Sequence, residues 1–310
     1  MTALGIDIGG TNIKLGLVTH AGEVLATNSV RTGTLDSAAA FTRVRDAVLA
    51  LAGDDAGGGE PVAAVGVDVP GVVLEDGSLA MAPNITLDLA GLLACLRDAL
   101  PQASFAALND ANAAALGETW VGAGAGADGI VMLTLGTGVG AGVVAGGRVV
   151  VGAHGAAGEI GHLCVNPEET EACTCGCKGC LEQYASARGL IRLYREECAL
   201  AGAAEVEIAH ASDALAVFDA AHAGNAQAKA ACVRLGRYLG RALAAVAVTL
   251  DPEAFVIGGG MCGGWDTFGE ACEAEYRARV IPGCRETPIR VATLGNAAGF
   301  LGAARAALRQ

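Results

Sequence analysis

Two stretches of this chain share one design. In Leu4-Gly5-Ile6-Asp7-Ile8-Gly9-Gly10-Thr11-Asn12-Ile13-Lys14, a short apolar strand runs into a glycine turn and out into a second apolar strand. The same happens from Ile130 to Gly142, with Leu135-Gly136-Thr137-Gly138-Val139-Gly140 at the centre. Each continues as a three-stranded meander, predicted at Leu4–Ile8, Ile13–Val18 and Glu23–Val30, then at Ile130–Leu135, Ala141–Ala145 and Arg148–Val151. Helices and strands alternate after each meander. A chain that starts this pattern twice builds two α/β lobes, and a cleft between two lobes is where ligands tend to sit.

The remaining elements follow from periodicity and punctuation. Ser37–Leu51 reads as a helix with Phe41, Val44, Val48 and Leu51 on one face. Val62–Val69 is a buried strand, Leu89–Leu100 a helix, Phe105–Leu108 a strand and Asp110–Trp120 a helix. Asp54–Pro61 is a Gly and acid loop, and Gly122–Gly129 a Gly/Ala linker able to join two lobes. Helices are predicted over Leu181–Gly202, Ser212–His222 and Ala226–Thr249. A strand follows at Phe255–Ile257, another at Ile289–Leu294, and a last helix at Ala297–Leu308.

Several function classes are excluded early. Residues 129–147 carry no charge and approach the length of a membrane span. Seven of them are glycines, which reads as strand, loop and strand. The start, Met1-Thr2-Ala3-Leu4-Gly5-Ile6-Asp7, has no basic region and meets an acid at once, so no signal peptide is expected and the cytoplasm is the expected compartment. The net charge of −13 disfavours nucleic acid as a partner. A small anion such as a nucleotide remains compatible, because backbone amides and a few cations can receive it locally.

Five motifs carry chemistry. Paired glycines in Asp7-Ile8-Gly9-Gly10-Thr11-Asn12-Ile13-Lys14 let backbone N–H groups approach an anion; Thr11 adds a hydroxyl, Lys14 charge, and Asp7 can hold Mg2+ through water. An ordinary hairpin would also place glycine at the bend. Gly136-Thr137-Gly138 repeats this logic in the second half. In Asn109-Asp110-Ala111-Asn112, Asp110 stands at a helix start, where an acid is either a cap or a carboxylate kept ionised as a general base. In Phe255-Val256-Ile257-Gly258-Gly259-Gly260, a strand runs into glycines against which a planar base can lie. Gly158-Glu159-Ile160-Gly161-His162 precedes Cys173-Thr174-Cys175-Gly176-Cys177-Lys178-Gly179-Cys180-Leu181-Glu182. One His and several thiolates suit tetrahedral Zn2+, with five donors for four positions. Cys177-Lys178-Gly179-Cys180 also has the spacing of a redox pair.

Taken together, these motifs resemble the sugar kinases of the ROK family over nearly the whole chain, Leu4 to Leu308. The most specific match is Gly158 to His162 followed by C-x-C-G-x-x-G-C-x-E from Cys173 to Glu182. The resemblance implies an actin/hexokinase-like (ribonuclease H-like) α/β fold of two lobes. Its expected boundaries are a small lobe at 1–120, a larger lobe with the cysteine knuckle at 121–294, and a helix at 295–310 packing back on the small lobe. It implies an ATP- and Mg2+-dependent hexose kinase acting on the 6-hydroxyl, with glucose first and N-acetylmannosamine, fructose or allose as alternatives. Asp110 resembles the catalytic base. Asn84, Asn109, Glu159, His162 and Glu182 match sugar-contacting positions. Gly9 to Thr11 and Gly136 to Gly138 match the two phosphate loops, and Gly258 to Gly260 the adenosine region. His162, Cys173, Cys175 and Cys180 match ligands of a structural Zn2+, while Cys177 falls at a variable position. A homodimer or homotetramer is also implied. Pro83-Asn84-Ile85-Thr86-Leu87-Asp88-Leu89 lacks the Trp often found there in members acting on glucose, which weakens that choice of sugar. The family's repressors carry a helix-turn-helix before the first glycine loop, for which no room is expected here. Its polyphosphate-dependent members generally lack the cysteine cluster, so ATP is expected as donor.

Overall fold

The computed structural model describes residues 1–53, 61–83, 85–210 and 213–310. Most of the loop expected over Asp54–Pro61, the sugar contact expected at Asn84 and the helix start expected at Ser212 lie outside the described residues. Along the chain the elements are β1 (Thr2–Ile8), β2 (Asn12–Thr19), β3 (Val24–Arg31), α1 (Ala38–Ala52), β4 (Val62–Val69), β5 (Val72–Val73), β6 (Leu79–Met81), α2 (Leu89–Ala99), β7 (Ser104–Asn109), α3 (Asp110–Val121), β8 (Ile130–Leu135), β9 (Val139–Ala145), β10 (Arg148–Val149), α4 (Glu182–Ala185), α5 (Ala187–Ala201), α6 (Ala214–His222), α7 (Ala226–Leu250), β11 (Ala254–Gly258), α8 (Trp265–Arg279), β12 (Ile289–Val291) and α9 (Ala298–Leu308). They gather into two compact units. One holds Met1–Ile130, Gly142–Gly158 and Thr293–Gln310, the other Val131–Ala141 and Glu159–Ala292.

The first unit is built on a sheet of order β3-β2-β1-β4-β7, with β1 antiparallel to β2 and parallel to β4. Strand side chains alternate between faces, so β1 and β4 each carry two sets of residues. Leu4, Ile6, Ile8, Val65, Val67 and Val69 pack with Val44 and Val48 of α1 and Leu92 and Leu96 of α2. Each such side chain contributes about 1.5–3 kcal/mol by leaving water. The other face of the same strands is Ala3, Gly5 and Asp7 on β1 and Ala64, Gly66 and Asp68 on β4. Helix α9 lies on this small-residue face, its Phe300, Leu301, Ala304 and Ala307 meeting Ala3, Val18, Ala64 and Ala106. Gly5 and Gly66 are direct neighbours across the two strands. A Cβ on Gly5 would fall on the Phe300 carbonyl, and one on Gly66 on the Ala303 carbonyl. The glycines therefore set how closely the helix approaches the sheet.

The second sheet has the order β10-β9-β8-β11-β12, with the β9–β10 hairpin at Val144–Val149 counted in the first unit. Within the second unit α7 and α8 also close on glycines: a Cβ on Gly236 would strike the Phe268 carbonyl, and one on Gly240 the Cys272 carbonyl.

One expectation changes, one element is added and one reading holds. The helix expected over Leu181–Gly202 is two helices, α4 and α5, divided at Ser186. Ser186 is extended (φ −92°, ψ 169°), and its hydroxyl accepts the Gly189 N–H at 3.1 Å, which caps α5. Helix α8 was not expected, although Phe268, Cys272 and Tyr276 recur every four residues and are all buried. The charge-free stretch at 129–147 is β8, a turn and β9. Among the described residues no helix is long and apolar enough to cross a membrane.

Candidate active site

Strand register builds the first cluster. Asp7 of β1 pairs with Asp68 of β4, so both carboxylates emerge on the α9 face. Gly299, at the start of α9, sits over them: a Cβ there would lie 3.0 Å from the Asp7 Cγ and 3.3 Å from an Asp68 carboxylate oxygen. Lys14, paired with Asp7 across β1 and β2, brings its Nζ to 3.5 Å from Asp7 and donates to Asn296 Oδ1 at 3.3 Å. Asp68 has no exposed surface, and neither of its carboxylate oxygens has a hydrogen-bond partner. Burial, then the charges of Asp7 and Asp110, hold its pKa well above the ordinary aspartate value. Asp68 was missed in the sequence. The available signal was a single acid inside the otherwise apolar run Val62–Val69.

Asn109 ends β7 and Asp110 opens α3. The Asn109 Oδ1 accepts the Asn112 N–H at 3.1 Å, and its Nδ2 donates to the Gly71 carbonyl at 3.0 Å and to Asp110 Oδ1 at 2.9 Å. Asp110 Oδ1 also accepts the Ala111 N–H at 2.8 Å. One Asp110 oxygen is thus held while Oδ2 is left for other work. Asp110 meets solvent on one side and is crowded by protein on the other. Burial raises its pKa above the usual aspartate value against the pull of the Ala111 N–H, with Asp7 adding to the rise. Both amide hydrogens of Asn109, expected as a sugar contact, are engaged inside the protein.

At the first glycine turn the Gly9 N–H donates to the Asn12 carbonyl at 3.1 Å, and Thr32 Oγ1 donates to the Gly9 carbonyl at 2.6 Å. Gly10, Thr11 and Asn12 are exposed, and the space beside Gly10 is open.

The second unit carries the other expected residues. The Gly136 N–H donates to the Gly138 carbonyl at 3.0 Å, and the Gly136 carbonyl accepts the Ala187 N–H at 2.8 Å. Thr137 is left exposed at the tip. Glu182 braces this loop: one carboxylate oxygen accepts the Val139 N–H at 3.0 Å, the other the Thr174 hydroxyl at 3.0 Å. Thr137, Cys173, Thr174, Glu182, Ser186 and Arg188 line one cavity of about 270 Å3. Glu159 precedes a single 3-10 turn, Ile160–His162, which turns His162 so that Nε2 faces the Glu159 carboxylate at 3.9 Å and Nδ1 faces the Cys173 sulfur at 3.9 Å.

The ligand atoms of His162, Cys173, Cys175 and Cys180 all lie within 4.8 Å of one another, and Cys175 and Cys180 bring their sulfurs to 3.6 Å. Ligand atoms around a tetrahedral zinc with bonds of about 2.3 Å stand about 3.8 Å apart, so this donor set fits the ion. Cys177 is exposed and outside the group; its carbonyl accepts the Cys173 N–H at 2.7 Å. In the triple glycine after β11, Gly258 and Gly259 are filled from within. A Cβ on Gly258 would press on Met132, and Gly259, at φ +85°, lies against the Leu135 backbone. Only Gly260 of the three opens onto free space. A larger cavity, about 460 Å3, lies in the first unit beside Glu75, Asp88, Arg97 and Phe105 and holds none of the expected site residues.

The family model described as "ROK family" matches residues 3–310. The chain belongs to the ROK family. It is 36% identical over 310 residues to a glucokinase of Halalkalibacterium halodurans, covering 96% of this chain and 92% of that relative. Among solved structures it resembles a ROK hexokinase from Thermus thermophilus, with TM-score 0.81 and 32% identity over 100% of this chain and 98% of the other. It also resembles a ROK family glucokinase from Streptomyces griseus in complex with glucose and AMPPNP, with TM-score 0.74 and 33% identity, covering all of both chains. The α/β architecture is thus that of the ROK sugar kinases.

Proposed function

We propose that this protein is an ATP-dependent hexose kinase that transfers the γ-phosphate to the 6-hydroxyl of a hexose, with glucose as the first candidate. The observation that carries this reading is Asp110 at the head of α3, in a chain similar end to end to a ROK glucokinase binding glucose and an ATP analogue. A sugar hydroxyl is a weak acid, so its proton must leave as the O–P bond forms. Asp110 Oδ2 takes that proton, while Asn109 and the Ala111 N–H hold the other oxygen. Asn109 then acts mainly by positioning the base. Glu159, His162 and Glu182, with Asn84, hold sugar hydroxyls. Polar side chains that hydrogen-bond hydroxyls discriminate strongly between sugars.

Phosphoryl transfer is largely positioning and charge neutralisation. Gly9, Gly10, Thr11, Asn12 and Lys14 form one phosphate-holding turn and Gly136, Thr137 and Gly138 the other, with Gly258 to Gly260 near the adenosine. Asp7 orients a hydrated Mg2+, whose charge offsets that of the phosphates. His162, Cys173, Cys175 and Cys180 hold a zinc ion that ties the knuckle together. With all four positions filled by protein, that ion is structural. The same reading has the enzyme in the cytoplasm as a homodimer or homotetramer.

ADP release is to be followed with ATP over a panel of hexoses and N-acetylhexosamines. Turnover is expected with glucose, and turnover with N-acetylmannosamine instead moves the substrate within the family. No turnover with any sugar ends the kinase reading. Asp110→Asn is expected to cost about 10²–10⁴-fold in kcat with sugar binding retained; near-normal kcat removes Asp110 from the base role. Because the Asp110 pKa is raised, the acid limb of kcat is expected above the pH of an ordinary aspartate and absent in Asp110→Asn. Elemental analysis should find one zinc per chain, lost in Cys180→Ser.

A further inference from the structure

Between its closing pair, Gly9 and Asn12, the first glycine turn has two loop residues, Gly10 and Thr11. Ordinary two-residue hairpins need a positive φ at the first loop position. Neither Gly10 nor Thr11 has one. The turn is also only half closed. Residues facing each other in a hydrogen-bonded antiparallel pair exchange two bonds. Here the Gly9 N–H reaches the Asn12 carbonyl at 3.1 Å, but the Asn12 N–H makes no return bond to the Gly9 carbonyl. A group outside the turn has taken that carbonyl.

That group is Thr32, just beyond β3 and without exposed surface. Its hydroxyl donates to the Gly9 carbonyl at 2.6 Å, and its N–H donates to the Thr11 carbonyl at 3.0 Å. One buried residue thus engages carbonyls on both sides of Gly10. In a planar trans peptide the carbonyl and the following N–H point opposite ways. Pinning the Gly9 carbonyl toward Thr32 therefore turns the Gly10 N–H away from it, and the space beside Gly10 is open. The Thr11 N–H is left over for a second reason. The Thr32 carbonyl, which would receive it in a continued ladder, accepts the guanidinium of Arg43 on α1 instead. Among the described residues neither the Gly10 nor the Thr11 N–H has a partner. Successive unpaired N–H groups make a concavity that suits an anion.

We propose that Thr32 is the positioning residue of the first phosphate turn, holding the Gly9 and Thr11 carbonyls back so that the Gly10 and Thr11 N–H groups stay free for phosphate oxygens of ATP. Buried as it is, Thr32 acts only through the turn. This inference rests on the reading of that turn as a phosphate holder.

Thr32→Val keeps the branched shape and removes the hydroxyl, whereas Thr32→Ser keeps the hydroxyl. Ser104→Ala is the control: it removes a comparable bond in the same unit, from the Ser104 hydroxyl to the Ala307 carbonyl at 2.9 Å. Magnesium AMPPNP is to be titrated into each variant by calorimetry, with KM measured for ATP and for the sugar. Thr32→Val should weaken AMPPNP binding and raise KM for ATP about tenfold, the effect of losing one hydrogen bond to a charged group. KM for the sugar should hold. Thr32→Ser and Ser104→Ala should both bind AMPPNP as the parent does. A merely structural role lowers the active fraction and leaves both KM values where they were. Arg43→Met, at an exposed position, returns the Thr32 carbonyl to the Thr11 N–H and should also weaken AMPPNP binding. Parent-like AMPPNP affinity in Thr32→Val overturns the assignment and leaves the kinase reading standing. The same affinity in Arg43→Met overturns it where circular dichroism shows Thr32→Val unfolded, and an equal loss in Ser104→Ala overturns it as well. A parent that binds AMPPNP but phosphorylates no sugar ends the kinase reading alone. A parent that binds no AMPPNP ends the phosphate turn and this role of Thr32 together.

Discussion

Asp68 holds a carboxylate out of water with nothing to bond it, beside a second acid in register. Burial and neighbouring charge raise its folded pKa above the unfolded value, so the folded chain binds its proton more tightly. Stability is then highest below the ordinary aspartate pKa and falls as pH rises toward the folded pKa. Asp68→Asn keeps the shape, removes the charge and offers Asp7 an amide donor. It is expected to raise Tm at neutral pH and to flatten the decline of Tm with pH, both read from thermal melts across a pH series. A variant less stable than the parent at pH 8 would show that the charge has a counter-ion. Gly136 poses the opposite case. The space beside it is open and its φ is not positive, so Gly136→Ala carries no folding penalty and, by stiffening the unfolded chain, stabilises by about 0.4–1 kcal/mol. If the backbone there meets phosphate, KM for ATP rises while Tm holds or climbs. Unchanged KM would remove Gly136 from the phosphate turn.

At the scale of elements, the packing of α9 on β1 and β4 depends on residues with no side chain. Gly66→Ala would drive a methyl into the Ala303 carbonyl, which is helix backbone and cannot swing aside. Overpacking of a tight core typically costs about 1–3 kcal/mol, so a drop of that size in unfolding free energy is expected by denaturant titration. A neutral result would mean that α9 slides on the sheet. The same contrast separates what the sequence made legible at this scale. Strands β1, β2, β8 and β9 were readable because each is a short apolar run cut by glycine. The knuckle was readable because its donors stand at ligand spacing. The break at Ser186 was hidden inside a long helical period, although a serine three residues before a glycine N–H is a capping signal. Asp68 was hidden for a different reason. Its partner is remote in sequence, and only the parallel register of β1 and β4 brings Asp7 beside it.

At the scale of the molecule, the first unit is assembled from three separate stretches of chain, the last of them Thr293–Gln310. Period-2 patterning distinguishes the Ala/Gly face of β1 and β4 from the Leu/Ile/Val face, but not which helix covers it. That face is too shallow for large side chains and too apolar to stay wet, and α9 closes it with Phe300 and Leu301. The N-terminal meander and its helices therefore cannot complete their core until the end of the chain has been made. Such non-local contacts must be closed at an entropic cost before they stabilise anything. A chain ending at Ala292 is expected to lose the cooperative unfolding of the first unit, with its amide protons exchanging as in a molten state. Adding a peptide of residues 293–310 in trans should restore protection in β1 and β4, read by hydrogen exchange. Full protection of β1 and β4 without the peptide would show that the sheet is held by α1 and α2 alone and that α9 is only a cover.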